Sequence, residues 1–284
     1  MSKYTPLLAK PSDLTTVLNV ADAEDLCVLA DYITDNGEGR LSLDSDANKK
    51  LAGCSKHKVF AQADRNLIAK EILLFGGNTI ANIYRSLFSS SDTISYSELV
   101  QDVAKKASAQ FSESDPLQDI EQAILIRIFK QAFEKMSEAE RKRVLDDLGI
   151  TSIATLRSIG RGSVAGATVS TALSMASLNI ATMVASAVSS QMLGRAFVGG
   201  AAFAGSRSAA ALAGPIGIAV ATLWTLADLS SPAYRVTLPC VVQVAYMRQK
   251  YLAALHSNKC PSCSTENIPN AKFCSECGTP MAKV

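Results

Sequence analysis

Histidine is nearly missing from this sequence, with 2 in 284 residues, and the motifs that announce catalysis are missing altogether. There is no Gly-x-x-x-x-Gly-Lys-Ser/Thr loop to cradle a phosphate, no Gly-x-Ser-x-Gly elbow and no His-Glu-x-x-His helix. Gly160-Arg161-Gly162-Ser163-Val164-Ala165-Gly166 misses the dinucleotide fingerprint by one residue and follows no clear strand. These absences argue against an enzyme. Aromatic residues are scarce as well, 6% of the chain against a hydrophobic share of 48%. The apolar content is therefore carried by Ala, Leu, Val and Ile, which favours helices packed through small side chains over a β-sandwich. A disulfide framework also fits poorly. The seven cysteines are an odd number, four of them crowd the last stretch, and Cys27, Cys54 and Cys240 are scattered. Met1-Ser2-Lys3-Tyr4-Thr5-Pro6 lacks the basic region and apolar core of a secretory signal. The expectation is a cytoplasmic protein in a reducing compartment.

Acidic charge runs out in the second half. Residues 1–160 carry 19 Lys/Arg against 23 Asp/Glu, and residues 161–284 carry 9 against 3. A basic, small-residue second half points to an acidic partner or an anionic membrane surface, unless so few charges are basic by accident. Two stretches have no charge at all, between Arg161 and Arg195 and between Arg207 and Asp228. Each reaches the roughly 20 residues that cross a bilayer. Small residues recur at every fourth position, Gly162, Gly166, Ser170 and Ser174, then Ala201, Gly205, Ala209 and Ala213, which lets two helix backbones approach closely. The outline is a helical hairpin. Its first arm is mostly Ala, Ser and Thr, with Asn179 and Gln191 inside it, and Leu, Ile, Phe and Val add only about 0.3–0.6 kcal/mol each to insertion. Residues 163–228 therefore read either as a buried hairpin or peripheral contact with the inner membrane, or as an arm that inserts.

Ahead of this region the periodicity predicts a soluble helical domain. Leu26, Val28, Leu29, Tyr32 and Ile33 recur at helical spacing before the turn Asp35-Asn36-Gly37-Glu38-Gly39, which lacks the later bidentate Glu of a calcium loop. Leu67, Ile68, Ile72, Leu73 and Phe75 make the stripe of a helix over 62–75 with Glu71 on its flank, and Gly76-Gly77 would close it. Asn78 would cap a following helix, Thr79 to Ser86, and the two glycines could cradle an anion there. Further helices are expected over 95–108 and 116–148, the second restarting at a Ser137 cap. Arg141-Lys142-Arg143 reads as a solvated face. Ser230-Ser231-Pro232 starts a last long helix that runs to about His256, with Pro239 kinking it or shifting its start. Cys54 and His57 are spaced like half a metal site, but no matching half exists, so they read as a surface Cys and His.

The strongest motif is Cys260-Pro261-Ser262-Cys263, a ten-residue gap, and Cys274-Ser275-Glu276-Cys277-Gly278. Two Cys-x-x-Cys pairs offer four thiolates in a tetrahedron, the closed geometry of one structural zinc ion. A segment this short cannot build a core from burial alone, so the metal must stabilise it. Phe273 is expected as an apolar plug beneath the site, and Ser257-Asn258-Lys259 as a linker before it. A saturated site has no open position for water, so it should not be catalytic. Lys259, Lys272 and Lys283 against Glu266 and Glu276 make a nucleic-acid role unpersuasive and a protein partner the better one. The redox use of Cys-x-x-Cys lacks its βαβ context, and a four-thiolate iron centre is the alternative occupant.

Two stretches carry a resemblance. Asn66-Leu67-Ile68-Ala69-Lys70-Glu71-Ile72-Leu73-Leu74-Phe75-Gly76-Gly77-Asn78-Thr79-Ile80-Ala81-Asn82 is similar to the central signature of the bacterial YaaW-like proteins, and Ala233-Tyr234-Arg235-Val236-Thr237-Leu238-Pro239 to their C-terminal one. The resemblance covers roughly residues 11–255 and leaves the zinc module as an addition. It implies a helical protein without an established activity, part of which has been linked to a chaperone domain of ubiquinol–cytochrome c reductase assembly. The expected fold is an all-α helical body with an Ala/Gly/Ser-rich helical hairpin and a small C-terminal zinc ribbon. Its expected division is 1–155 soluble helical domain, 156–230 hairpin, 231–256 last helix and 258–284 ribbon. The expected function is a non-enzymatic interaction protein. The alternatives are a membrane-inserting or permeabilising effector, and an enzyme with an unfamiliar site near Glu71, Gly76 and Gly77.

Overall fold

A computed structural model describes residues 13–40, 43–77, 94–148, 171–194, 233–256, 258–260, 262–263, 265–267 and 272–280. Among these residues the helices are α1 Leu14–Val20, α2 Ala23–Thr34, α3 Ser45–His57, α4 Gln62–Gly77, α5 Tyr96–Lys106, α6 Leu117–Glu134, α7 Glu138–Leu148, α8 Thr171–Leu193 and α9 Tyr234–His256. All of them contribute to one continuous apolar core. After α9 comes a two-stranded ribbon, β1 Asn258–Lys259 and β2 Glu266–Asn267. The fold is thus the all-α body that the composition implies, with the small terminal ribbon that the cysteine spacing implies.

Local chemistry sets the helix ends. The Asp13 carboxylate accepts from the Thr15 and Thr16 amides and starts α1. Ser95 and Glu98 form a full capping box ahead of α5. Ser137 and Glu140 repeat it ahead of α7, the Ser137 amide donating to Glu140 Oε2 at 2.8 Å. α2 stops where Asp35 and Asn36 turn left-handed, with φ of 55° and 56°, and the Arg40 guanidinium closes its end by donating to the Tyr32 carbonyl. That stretch is an ordinary turn. Arg141 likewise donates to the Phe133 and Glu134 carbonyls at the end of α6, so it is a cap rather than a purely solvated residue.

Gly76 has a different role from the one its sequence suggests. It lies within α4 and not among the left-handed glycines. A Cβ there would sit 2.6 Å from Leu99 Cδ1 and 2.9 Å from Ile94 Cδ1. Close approach of α5 is what the glycine permits. Asn78 and the helix expected over 79–86 lie outside the described residues.

α9 is the centre of the bundle. It packs on α8, α6, α2, α4, α5 and α1, and it carries Pro239 inside the helix, as expected. The described part of the first uncharged stretch is α8, with Ala176, Ile180, Ala181, Val184, Ala185 and Val188 at 0% exposure. Its neighbours are α9, α6, α2 and α7, so this arm is core. Among the described residues no helix is long and apolar enough to cross a membrane. Residues 195–232, including the second uncharged stretch and the Ser230-Ser231-Pro232 start, lie outside the described residues.

Four consecutive residues near the end of α9 tie three different neighbourhoods together. Arg248, 1% exposed, donates from Nε to Glu121 Oε2 at 2.6 Å and from Nη2 to Oε1 at 3.1 Å. The Tyr96 hydroxyl donates to the same Glu121 at 3.0 Å, which brings in α5. Gln249 joins Gln122 of α6 and Ser177 of α8 in a closed ring of side-chain hydrogen bonds of 2.7–3.1 Å. Lys250 reaches Asp22 at 3.1 Å and Asp25 at 2.8 Å, while the Tyr251 hydroxyl donates to Asp25 and accepts from the Asp22 amide. Burial without such partners would cost several kcal/mol per charge.

Candidate metal centre

The ribbon is built from two near copies of one knuckle. β1 pairs antiparallel with β2, Asn258 opposite Asn267 and Lys259 opposite Glu266; Asn258 and Lys259 of the expected linker are therefore part of the ribbon. Between the strands the Cys260 amide donates to the Thr265 carbonyl at 2.9 Å. The second knuckle repeats this bond from Cys274 to Thr279, also at 2.9 Å, inside an isolated antiparallel bridge between Phe273 and Pro280. Gly278, at φ 69°, makes its turn. In each knuckle an amide two residues on points at the first sulfur: Ser262 N to Cys260 Sγ and Glu276 N to Cys274 Sγ, both 3.4 Å.

The four sulfurs of Cys260, Cys263, Cys274 and Cys277 lie within 4.8 Å of one another. Cys260 Sγ is 3.5 Å from Cys277 Sγ, and Cys263 Sγ is 3.6 Å from Cys274 Sγ. Bonds of about 2.3 Å from zinc to sulfur imply sulfur separations of roughly 3.8 Å in a tetrahedron. The donor set and its spacing fit one structural zinc ion. Cys260 and Cys274 are buried while Cys263 and Cys277 face solvent. Hydrogen bonds from the Cys277 and Glu276 amides and from Asn267 hold the Cys274 thiol down to about 6, which favours the thiolate a metal needs.

Several residues of this centre escape a reading by cysteine spacing. Thr265 Oγ1 lies 3.2 Å from Cys263 Sγ and Thr279 Oγ1 3.1 Å from Cys277 Sγ. The signal was present as a Thr two residues after the second Cys of each pair. Asn267 is buried, with its amide nitrogen 2.8 Å from the Thr265 carbonyl and 3.5 Å from Cys274 Sγ, and its oxygen accepting from the Ser275 amide at 2.8 Å. Phe273 is not the plug expected. It is 63% exposed, because the bridge to Pro280 turns it outward from the buried pair of sulfurs.

Elsewhere the sequence-derived candidates separate. His57 is exposed on α3, whereas Cys54 is buried and its thiol is pushed up by burial and by the neighbouring Asp64 carboxylate, so it is not the surface residue expected. Cys240 is wholly buried in α9, and burial pushes it up to about 12. Such thiols are inert. Glu71 is buried on α4, and desolvation raises its carboxyl above the ordinary range. Among the described residues the ribbon cysteines are the one group of three or more His, Cys, Asp or Glu placed to hold a metal.

Comparison with known proteins finds a match for the ribbon and another for the helical body. Residues 259–281 match the family model described as a zinc-ribbon domain, and residues 63–242 match that of the ubiquinol-cytochrome C chaperone. A UPF0174 protein of Helicobacter pylori strain J99 is 32% identical over 199 residues, covering 68% of this chain and 74% of that protein. UPF0174 protein YaaW of Escherichia coli K12 is 26% identical over 243 residues, covering 84% of this chain and 94% of that protein. No solved structure matches. A helical body shared with these bacterial proteins, followed by a four-thiolate ribbon for one structural zinc ion, places the chain in the UPF0174 (YaaW) family.

Proposed function

We propose that the chain is a non-enzymatic interaction protein, with a helical body as its platform and the zinc ribbon as its protein-docking module. Cys260, Cys263, Cys274 and Cys277 are the zinc ligands in this reading. The observation that carries it is the saturated donor set: four sulfurs within 4.8 Å of one another leave zinc no open position for water or substrate. The metal then serves shape alone and holds a short segment as a rigid surface that presents Phe273 to solvent. The chaperone description of the matched body family agrees with a protein partner. The described arm of the uncharged region has its apolar side chains covered by α9 and α6. Docking is therefore assigned to the ribbon rather than to that arm.

The test is in-cell crosslinking of the full chain, with metal content measured on the same preparations. The unaltered chain should carry one zinc and capture a defined protein. A Cys260→Ser/Cys277→Ser variant should lose both while its helical signal and melting stay the same. Capture that survives loss of the metal would overturn the docking role. A metal centre that binds added ligands such as azide or cyanide would overturn its closed, non-catalytic character.

A further inference from the structure

We propose that Asn267 is the positioning residue of the zinc centre, setting the second knuckle against the first and stabilising the Cys274 thiolate. The inference rests on the zinc reading above. Asn267 lies in the ten-residue gap between the two cysteine pairs, on β2, opposite Asn258. It is 9% exposed, and an uncharged amide is buried at such cost only when its hydrogen bonds are met. All of them are. The amide nitrogen donates to the Thr265 carbonyl at 2.8 Å, in the first knuckle, and to Cys274 Sγ at 3.5 Å, in the second. The amide oxygen accepts from the Ser275 amide at 2.8 Å. Among the described residues, the side-chain hydrogen bonds that join the two knuckles are those of Asn267, beside the sulfur–sulfur approaches themselves.

The chemistry at Cys274 Sγ explains why an amide is needed. Four thiolates on one divalent ion leave a net charge of minus two, and N–H donors to sulfur offset it. The Glu276 amide donates to Cys274 Sγ from the backbone at 3.4 Å, and Asn267 adds a side-chain donor. A carboxylate at position 267 would keep the acceptor for Ser275 but turn an anion toward an anionic sulfur. The two halves of the amide are therefore separable by substitution.

Zinc affinity of the full chain, measured by competition with a chromophoric chelator, tests this. Cobalt(II) substitution reports thiolate coordination by its charge-transfer bands. Asn267→Ala should lower zinc affinity about 10–100-fold, the usual effect of removing an outer-shell partner. Asn267→Asp should lower it further, and both should shift the cobalt–thiolate bands while the helical signal of the body stays unchanged. If the residue only props up the knuckle through Ser275, the Asp variant will bind like the unaltered chain, and the proposal fails. Unchanged affinity in the Ala variant also overturns it. If the unaltered chain shows no tetrahedral thiolate bands, the zinc reading fails and this inference falls with it.

Discussion

Glu71 occupies the core-facing flank of α4 with 5% of its surface exposed, and burial raises its carboxyl above the ordinary 4.5. A carboxyl whose pKa is higher folded than unfolded contributes most below the unfolded value, and that contribution is lost as pH rises through the folded one. At neutral pH the charged form is therefore a handicap. Glu71→Gln should raise the denaturation midpoint at pH 7, and the gain should shrink as the pH is lowered to about 4, where the native residue is itself neutral. Denaturant titrations at both pH values check this; a gain of equal size at both would refute the desolvation cause. The burial could not be read from spacing alone, since Glu71 follows a lysine in a mixed helix and only its packing decides the matter. The cysteine centre was legible for the opposite reason. Its four ligands are close in sequence, so spacing and geometry coincide. Asn267 was not, because nothing in its type or position marks an amide as a partner of sulfur until the knuckles are folded together.

Helix starts were as legible as the cysteines, since a Ser followed three residues later by Glu is a local device that works before α5 and α7 alike. Helix partners were not. α8 has no charged residue and many small ones, a pattern shared by a core helix and a marginal membrane span. Only the cover supplied by α9, α6, α2 and α7 separates the two. The polar end of α9 was equally opaque, because Arg248 meets Glu121 from 127 residues away. That tie makes a prediction at the level of helix pairs. Arg248→Met or Glu121→Leu alone strands a buried charge and should cost about 3–5 kcal/mol of stability. The double variant Glu121→Leu/Arg248→Met should recover most of the loss, as apolar replacements of both partners do. Equilibrium unfolding of the three variants measures the coupling directly, and equal losses in single and double variants would refute it.

At the scale of the molecule, body and ribbon have separate buried clusters among the described residues, one drawn from the helices α1 to α9 and one from Cys260 and Cys274. A zinc chelator should thus open the ribbon and expose its four thiols to alkylation, while circular dichroism keeps the helical signal of the body. Loss of that signal together with the metal would show that the two cannot be separated. The placing of α9 carries a consequence of another kind. Tyr251 holds the Asp22 amide across 229 residues of chain, and the helices that α9 joins are all made before it. At ~5–20 residues per second, the ribosome needs on the order of tens of seconds between delivering α2 and delivering α9. Through that interval the apolar faces of α2, α4, α6 and α8 have no central helix to close on. A chain stopped just before α9 should therefore aggregate rather than form a shortened domain, which its recovery in the soluble fraction would measure.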